Sequence, residues 1–198
     1  MKIDTRKWHA FSIGKLFVKL DLKCRKADFN KSLDVSTEQS EEFDLPLVNA
    51  KHFNNGIMYY GRSADFESAE MTLDIVKNGA IATGDVFAQP QRTGVLWDAY
   101  LVKPRMEVKS KYVLLFLSAC LEKAIKDKFS YDDKCVWEKV SKLTILLPAT
   151  AAGLPDFAFM EEYMKGLEMR VKSTVDLLAE PNSGGGQDRC LQLGTLQS

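Results

Sequence analysis

Adjacent carboxylates stand at two places in the chain, Asp132–Asp133 and Glu161–Glu162. Paired acidic side chains could in principle hold a divalent cation. Each pair consists of sequence neighbours and lacks a third nearby partner. The spacing therefore favours solvated residues in a turn and on a helix face over a metal site.

The histidines and cysteines form no constellation for nucleophilic or metal chemistry. His9 and His52 have no evident serine or cysteine partner. The four cysteines contain no C-x-x-C pair, so metal-ligand spacing is absent; they are Cys24, Cys120, Cys135 and Cys190. Cys120 lies in an apolar run and is predicted to pack as a small hydrophobic residue.

Motifs for nucleotide binding and acyl transfer are also missing. The chain has no G-x-G-x-x-G after a strand, no G-x-x-x-x-G-K-[ST] and no G-x-S-x-G. The Asn/Asp-Pro-Pro-aromatic tetrapeptide of adenine methyltransferases is absent as well. The sequence therefore predicts a binding protein that needs no cofactor or metal and catalyses no reaction.

Charge is segregated along the chain although the net charge is zero, with 27 basic and 27 acidic residues. Residues 1–31 carry a local charge of +6 and residues 32–45 carry −5; residues 103–142 carry +4 and residues 154–180 carry −3. Such a chain can present a basic face to nucleic acid. The alternative interpretation is that these charged segments are ordinary solvated surfaces.

The first 150 residues are predicted to form a strand-rich α+β body. Strands are expected at 8–18 with a turn at Gly14, and at 45–50, 86–89, 99–102 and 143–147. Residues 75–76 and 80–82 are expected to form a hairpin-like unit, and Asn55-Gly56 a tight turn with positive φ. The pattern indicates a mostly antiparallel, curled sheet, with a helix at 111–126.

A long helix of about 25 residues is predicted within residues 154–180. Its apolar positions recur in steps of three and four residues, which is the heptad pattern of a coiled coil. This predicted seam consists of Phe157, Met160, Met164, Leu167, Val171 and Leu178. At ~1.5 Å per residue the helix would be roughly 37 Å long, more than the body needs for its own core. A core helix with an ordinary amphipathic face is the alternative.

These patterns divide the chain into a body at 1–153, a long helix at 154–180 and a flexible tail at 181–198. No apolar stretch reaches the ~18 residues that a membrane span needs, and the N-terminus has no apolar segment typical of a secretion signal. We expect a cytoplasmic protein with no membrane association.

Several short motifs, taken together in order, resemble the target recognition domain and spacer helix of specificity subunits of type I restriction-modification systems. The motifs are PLVN (46–49), FNNGI (53–57) with Tyr60, GAI (79–81), GDVFAQ (84–89), DAYLVKP (98–104), KFSY (128–131), Trp137, LTILLP (143–148), PDF (155–157) and MEEYM (160–164). The resemblance covers residues 8–180. No single motif is specific, whereas their order and spacing are.

The resemblance implies a non-catalytic subunit that reads double-stranded DNA. An adenine methyltransferase subunit, and in some complexes a restriction and translocase subunit, would perform the chemistry. Family members usually carry two recognition domains held apart by two antiparallel helices. This chain has one of each, so it looks like a half subunit that would form a homodimer through its helix and read a palindromic, split site.

Reading bases in the major groove requires polar side chains from loops or strands. Under this resemblance, the candidate DNA contacts are Lys51, Asn54, Asn55, Arg62, Lys77, Gln89, Gln91, Arg92, Thr93 and Lys128. Phosphate contacts would come from basic stretches that include Lys23, Arg25, Lys26 and Lys128. Asn54 and Asn55 also suit a turn, and Gln89 could instead satisfy backbone groups inside a sheet.

Two other functions remain compatible with the sequence. The chain could be the recognition subunit of a type IIB or IIG enzyme, in which cleavage and methylation domains form a separate polypeptide. It could also be a coiled-coil interaction module without a DNA role, and such a module would not bind duplex DNA in a salt-dependent way.

Overall fold

The computed structural model describes residues 3–179. Its strands are β1 His9–Ser12, β2 Phe17–Lys19, β3 Val35–Ser36, β4 Leu45–Val48, β5 Ile57–Gly61, β6 Thr72–Val76, β7 Val86–Gln89, β8 Gly94–Val95, β9 Ala99–Pro104 and β10 Thr144–Leu147. Its α-helices are α1 Ile13–Leu16, α2 Lys31–Asp34, α3 Lys111–Ile125, α4 Trp137–Val140 and α5 Phe157–Ala179. Short 3-10 turns occur at Thr5–Lys7, Asn54–Gly56 and Lys126–Lys128. The predicted α+β class and the long helix are confirmed.

The strands form three sheets rather than the one curled sheet that was predicted. One has the order β2-β9-β6-β7 and is antiparallel throughout. A second has the order β3-β5-β4-β8, in which β4 and β8 run parallel. The third pairs β1 with β10. Strands close together in sequence thus enter different sheets, which a period-two pattern alone does not reveal.

The sheet β2-β9-β6-β7 lies at the centre of the body because both of its faces are covered. Alternate residues of a strand point to opposite faces. On one face, Leu73 and Ile75 join a large core with Leu117 and Leu121 of α3. On the other, Leu101 packs with Val48 of β4. The centre of the body is therefore a helix layer packed on two stacked sheets.

The chain at 8–18 runs from a strand into a turn at Gly14, as predicted. It forms β1, then the turn α1, then β2, so that β1 pairs with β10 and β2 with β9. At the turn, the Gly14 N–H donates to the Ser141 carbonyl at 3.0 Å. A side chain at Gly14 would lie 2.8 Å from that oxygen, so the close approach requires glycine.

Residues 80–82 do not form the predicted strand. They belong to the loop between β6 and β7, where the Thr83 hydroxyl accepts from the Gly79 N–H at 2.9 Å and donates to the Gly79 carbonyl at 2.6 Å. These local bonds compete with strand pairing. The Asn55-Gly56 prediction is confirmed, since Asn54, Asn55 and Gly56 all have positive φ.

Two compact units divide the chain, Met1–Lys165 and Gly166–Ser198. The first unit includes all the strands named above and the first nine residues of α5, and the second includes the rest of α5. The predicted tail at 181–198 lies outside the described residues. Among the described residues, no helix is both long and apolar enough to cross a membrane.

Candidate nucleic-acid interface

Loops at one end of the two larger sheets come together in what we call the first loop cluster. It consists of residues 49–56, 77–85, 97–98 and 126–128. The Lys77 N–H donates to the Asp98 carbonyl at 2.8 Å, and the Asp98 N–H donates to Asn49 Oδ1 at 2.8 Å. These bonds join the chain segments that follow β4, β6 and β8.

A buried carboxylate ties two of these loops to the end of α3. Asp85 is almost completely buried; one of its oxygens lies 2.6 Å from His52 Nδ1, and the other accepts from Lys126 Nζ. Lys126 also donates to the Ile81 carbonyl at 3.1 Å. Burial and, next, the Asp85 carboxylate raise the pKa of Glu122 beside this group. We call Asp85, His52 and Lys126 the Asp85 clamp.

The segment Asn54–Gly56 is fixed to β7 by amide hydrogen bonds. Asn55 Nδ2 donates to the Ala88 carbonyl at 3.0 Å and to Gln89 Oε1 at 3.3 Å. Gln89 Nε2 donates back to the Asn55 carbonyl at 2.7 Å. Asn54 Nδ2 donates to the Ile57 carbonyl at 3.1 Å, across the same turn. Both asparagine side chains are therefore hydrogen-bonded within the fold, although both residues remain exposed.

Beneath this segment lies Asp74, a residue that sequence reasoning missed. It is fully buried between the two larger sheets, and neither carboxyl oxygen has a hydrogen-bond partner among the described residues. Burial and, to a lesser degree, the nearby Asp85 raise the pKa of Asp74 well above its usual range. A side chain at Gly56 would collide with this carboxyl group and with Phe87. Burial thus favours the protonated form of Asp74 under a closely packed turn.

A second loop cluster lies at the opposite end of β6 and β7 and consists of residues 37–44, 62–70 and 90–93. Arg62 is its centre. The guanidinium group donates to Glu42 at 2.6 Å, to Asp34 at 3.3 Å and to Asp65 at 3.4 Å, and it stacks over the Phe43 ring at 4.6 Å. An arginine bound by three carboxylates is engaged in the fold, which argues against the predicted DNA contact.

The predicted contacts near β8 differ in exposure. Gln91 and Arg92 are exposed, and Arg92 donates to the Ser68 hydroxyl at 3.0 Å. Thr93 is completely buried and donates to the Gln91 carbonyl at 3.0 Å. Gln89 is completely buried as well. Because a buried side chain cannot reach a base, Thr93 and Gln89 are corrected to structural residues, as the alternative for Gln89 anticipated.

The lysines of the prediction lie mostly in the first loop cluster. Lys128 is exposed and Lys51 is half-buried, while Lys77 donates to the Trp97 carbonyl at 2.5 Å. The proposed phosphate contacts from residues 23–26 are partly engaged elsewhere: Lys26 pairs with Asp34, and Lys23 with Asp21 at 3.1 Å. Lys26 is the main cause that lowers the pKa of Asp34.

Charge distinguishes the two loop clusters. The first contains four lysines and three aspartates, a net charge of +1, and one of those aspartates is the buried Asp85. The second contains seven acidic residues and two arginines, a net charge of −5. Phosphate contacts supply most of the affinity for DNA. The first loop cluster is therefore the better candidate interface.

Exposed apolar side chains also lie in the first loop cluster, and the prediction omitted them. They are Phe53, Ile81 and Trp97. The His52 and Phe53 rings contact each other edge to face, with centroids 4.6 Å apart. No local sequence signal marked these residues, because single apolar residues are common on protein surfaces.

The predicted helix seam divides into two parts. Met160 is completely buried in the main core, and Phe157 and Met164 pack against the same core. These three residues therefore contribute to the body, as the core-helix alternative held, and Met160 is corrected as a pairing residue. Further along α5, Leu167 is half-buried, whereas Val171 and Leu178 are exposed. That exposed part retains the spacing of a seam.

No group of three or more His, Cys, Asp or Glu suited to a metal ion occurs within residues 3–179. The thiols of Cys120 and Cys135 are shielded, and burial raises their pKa values to about 11 and about 12. Both stay protonated at neutral pH, in keeping with packing roles. Cys190 lies outside the described residues.

The fold is that of the specificity subunits of type I restriction-modification systems. The specificity subunit from M. genitalium matches with a TM-score of 0.52 at 15% identity, over 87% of this chain and 44% of that chain. The HsdS subunit from Thermoanaerobacter tengcongensis matches with a TM-score of 0.51 at 14% identity, over 88% and 41%. A chain from a structure on complex assembly and conformational transition of the type I restriction-modification system matches with a TM-score of 0.54 at 16% identity, over 91% of this chain and 43% of that chain.

Sequence similarity points to the same class of protein. The specificity subunit S.BcgI of a type II restriction enzyme from Heyndrickxia coagulans is 27% identical over 165 residues, which cover 83% of this chain and 44% of the relative. The predicted resemblance to restriction specificity subunits is thus confirmed. The chain spans less than half the length of these relatives. No family model matches it.

Proposed function

We propose that this chain is the DNA-recognition subunit of a restriction-modification system and that it reads one half of a split site. The similarity to a restriction specificity subunit over 83% of the chain carries the proposal. In this role the chain performs no catalytic step. A separate adenine methyltransferase subunit modifies the DNA, and a restriction subunit acts in the same complex.

The first loop cluster is the proposed reading surface. Its net charge of +1 contrasts with −5 in the second loop cluster, so it meets less repulsion from phosphates. Lys51 and Lys128 would contact phosphates, and the exposed surfaces of Asn54 and Asn55 would face base edges, where asparagine suits adenine. Gln91 and Arg92 in the second loop cluster form the competing surface.

Pairing of two copies through α5 is the second part of the proposal. The resemblance implies family members with two recognition domains and two helices, and this chain spans 44% of the length of S.BcgI. Val171 and Leu178 are exposed apolar residues seven positions apart, which places them on one face of the helix. Two copies related by a two-fold axis would hold two reading surfaces at a fixed spacing and would bind a palindromic, split site.

A type II system is the second candidate. The solved structures that share the fold come from type I systems, whereas S.BcgI belongs to a type II restriction enzyme. The two candidates differ in the partner polypeptide: separate methyltransferase and translocase subunits for type I, and one polypeptide with cleavage and methylation domains for type II.

Co-purification from the native host, followed by methylation mapping, tests the function and separates the candidates. The proposal expects a methyltransferase in the complex and adenine methylation at a split, palindromic site. Mass spectrometry of the partner then identifies the type of system. Methylation without sequence preference, or a chain that shows no salt-dependent binding to duplex DNA, contradicts the proposal and favours an interaction module.

A further inference from the structure

Two large apolar side chains stand in solvent on adjacent loops of the first loop cluster. Phe53 is 74% exposed and Ile81 is 75% exposed. Single exposed apolar residues are common on protein surfaces. These two are unusual because both loops are bound to the same group, the Asp85 clamp.

The backbone beneath both side chains is held at several points. His52, the neighbour of Phe53, contacts Asp85 at 2.6 Å, and the Phe53 ring rests edge-on against the His52 ring. On the other side of Phe53, Asn55 is bound to β7 through the Ala88 carbonyl. The Ile81 carbonyl accepts from Lys126, which also pairs with Asp85. These contacts therefore hold the loop beneath each of the two apolar side chains in place.

The surroundings of the two tips suit a polyanion. Lys51 precedes the clamp residue His52, and Lys126 and Lys128 follow α3 at the same end of the body. Asp85, the acid that holds both loops, is buried and paired with Lys126. An apolar centre with lysines at its edge fits the backbone and stacked bases of DNA, because phosphates meet the lysines while the bases meet the apolar groups.

We propose that Phe53 and Ile81 are a wedge that inserts between stacked base pairs of the target duplex and opens one base step. The inference rests on the proposed function and deepens it. Apolar wedges of Phe and Ile in other DNA-binding proteins insert between base steps, partly unstack them and kink the duplex. The cost of opening depends on the step, being lower at flexible pyrimidine–purine steps, so the wedge contributes specificity at base pairs that no polar side chain contacts.

The test uses the full chain and a duplex that the wild-type protein selects from random-sequence DNA. 2-Aminopurine, whose fluorescence rises on unstacking, replaces each adenine of that duplex in turn. The wild-type protein is expected to raise the fluorescence at one step, and Phe53→Ala with Ile81→Ala abolishes that rise. Leu33→Ala removes a side chain that is 66% exposed outside the cluster and serves as the matched control.

An abasic site at the responsive step gives a second readout that does not depend on fluorescence. A wedge no longer has to unstack that step, so the wild-type protein binds the abasic duplex at least about tenfold more tightly than the intact one. The double variant shows no such preference, and Phe53→Leu retains part of it because leucine also serves as a wedge.

Three outcomes would contradict the proposal that Phe53 and Ile81 form a wedge. If the wild-type protein selects a duplex but no position responds, the wedge is wrong while the proposed function stands. If the double variant loses a co-purifying methyltransferase but keeps the fluorescence response, the tips bind protein instead of DNA. If no sequence is selected at all, the proposed function fails and the wedge fails with it.

Discussion

His52 Nδ1 lies 2.6 Å from a carboxyl oxygen of Asp85, a residue 33 positions later in the chain. The contact joins the loop after β4 to the loop between β6 and β7, and Lys126 fixes the same carboxylate to the end of α3. In this way one buried acid positions three segments of the proposed reading surface.

Asp85→Asn is expected to destabilise the body by about 2 kcal/mol, because hydrogen bonds to a charged group are worth more than neutral ones and Lys126 loses its ion pair. Urea unfolding followed by circular dichroism measures the change. Asp127→Asn alters an exposed acid in the same cluster and should change stability by less than about 0.5 kcal/mol. Equal effects of the two variants would show that the clamp is unimportant.

Asp74 gives a prediction for the pH dependence of stability. Its pKa is raised in the folded protein, so above the unfolded value of ~3.9 the folded state binds one more proton than the unfolded chain. Stability therefore falls as the pH rises from ~4 towards the folded pKa, by up to about 1.4 kcal/mol per pH unit. Asp74→Asn cannot ionise and should flatten this slope.

The measurement is the free energy of unfolding of wild type and Asp74→Asn at several pH values between 5 and 8. The difference between the two proteins should grow in favour of the variant as the pH rises. Parallel pH profiles would mean that Asp74 does not carry a raised pKa.

The exposed part of α5 should control oligomeric state. Val171→Lys or Leu178→Lys places a charge on the proposed pairing face and should lower the solution mass from twice the chain mass to the chain mass. Met169→Lys is the matched control, because Met169 is 67% exposed against 62% for Val171 and lies on the opposite side of the helix. Light scattering reports the mass, and circular dichroism checks the fold.

An unchanged mass in Val171→Lys would exclude this face as the interface. Substitutions at Met160 would be uninformative, because this residue is buried in the core and its truncation is expected to destabilise the body by about 2–5 kcal/mol.

Charge reversal should distinguish the two loop clusters. Lys51→Glu and Lys128→Glu are expected to weaken binding to duplex DNA and to reduce the slope of log affinity against log salt by about one for each lysine that no longer binds a phosphate. Arg92→Glu, in the acidic second loop cluster, should leave both quantities nearly unchanged. Fluorescence anisotropy across a salt series measures affinity and slope, and the reverse pattern would assign the interface to the second cluster.

Much of the fold could be predicted from local sequence patterns. The Asn55-Gly56 turn, the strands at 86–89 and 99–102 and the long helix follow from turn chemistry and periodicity, and the structure confirms them. The division into three sheets depends on pairings between distant segments, such as β1 with β10, which no local pattern encodes.

Residue type alone did not separate candidate DNA contacts from side chains that are engaged within the fold. Arg62 has the composition of a DNA contact, yet Asp34 and Glu42, 28 and 20 residues away in the chain, hold its guanidinium group. Gln89 likewise turns inward to Asn55. The apolar spacing predicted the long helix correctly. The buried Met160 shows, however, that the first part of the same apolar stripe packs in the core of the body. Only tertiary contacts show whether such a side chain is engaged within the fold or is available to bind a partner.

Selection from random-sequence duplex DNA is the measurement that tests the central claim most directly. The purified chain is incubated with random-sequence duplexes, and bound DNA is sequenced after several rounds, in parallel with the Lys51→Glu, Lys128→Glu double variant. Recognition by the first loop cluster predicts a defined motif for the wild type, repeated as an inverted half-site, and loss of enrichment in the variant. Absence of any enriched motif in the wild type, or identical enrichment in the variant, would contradict it.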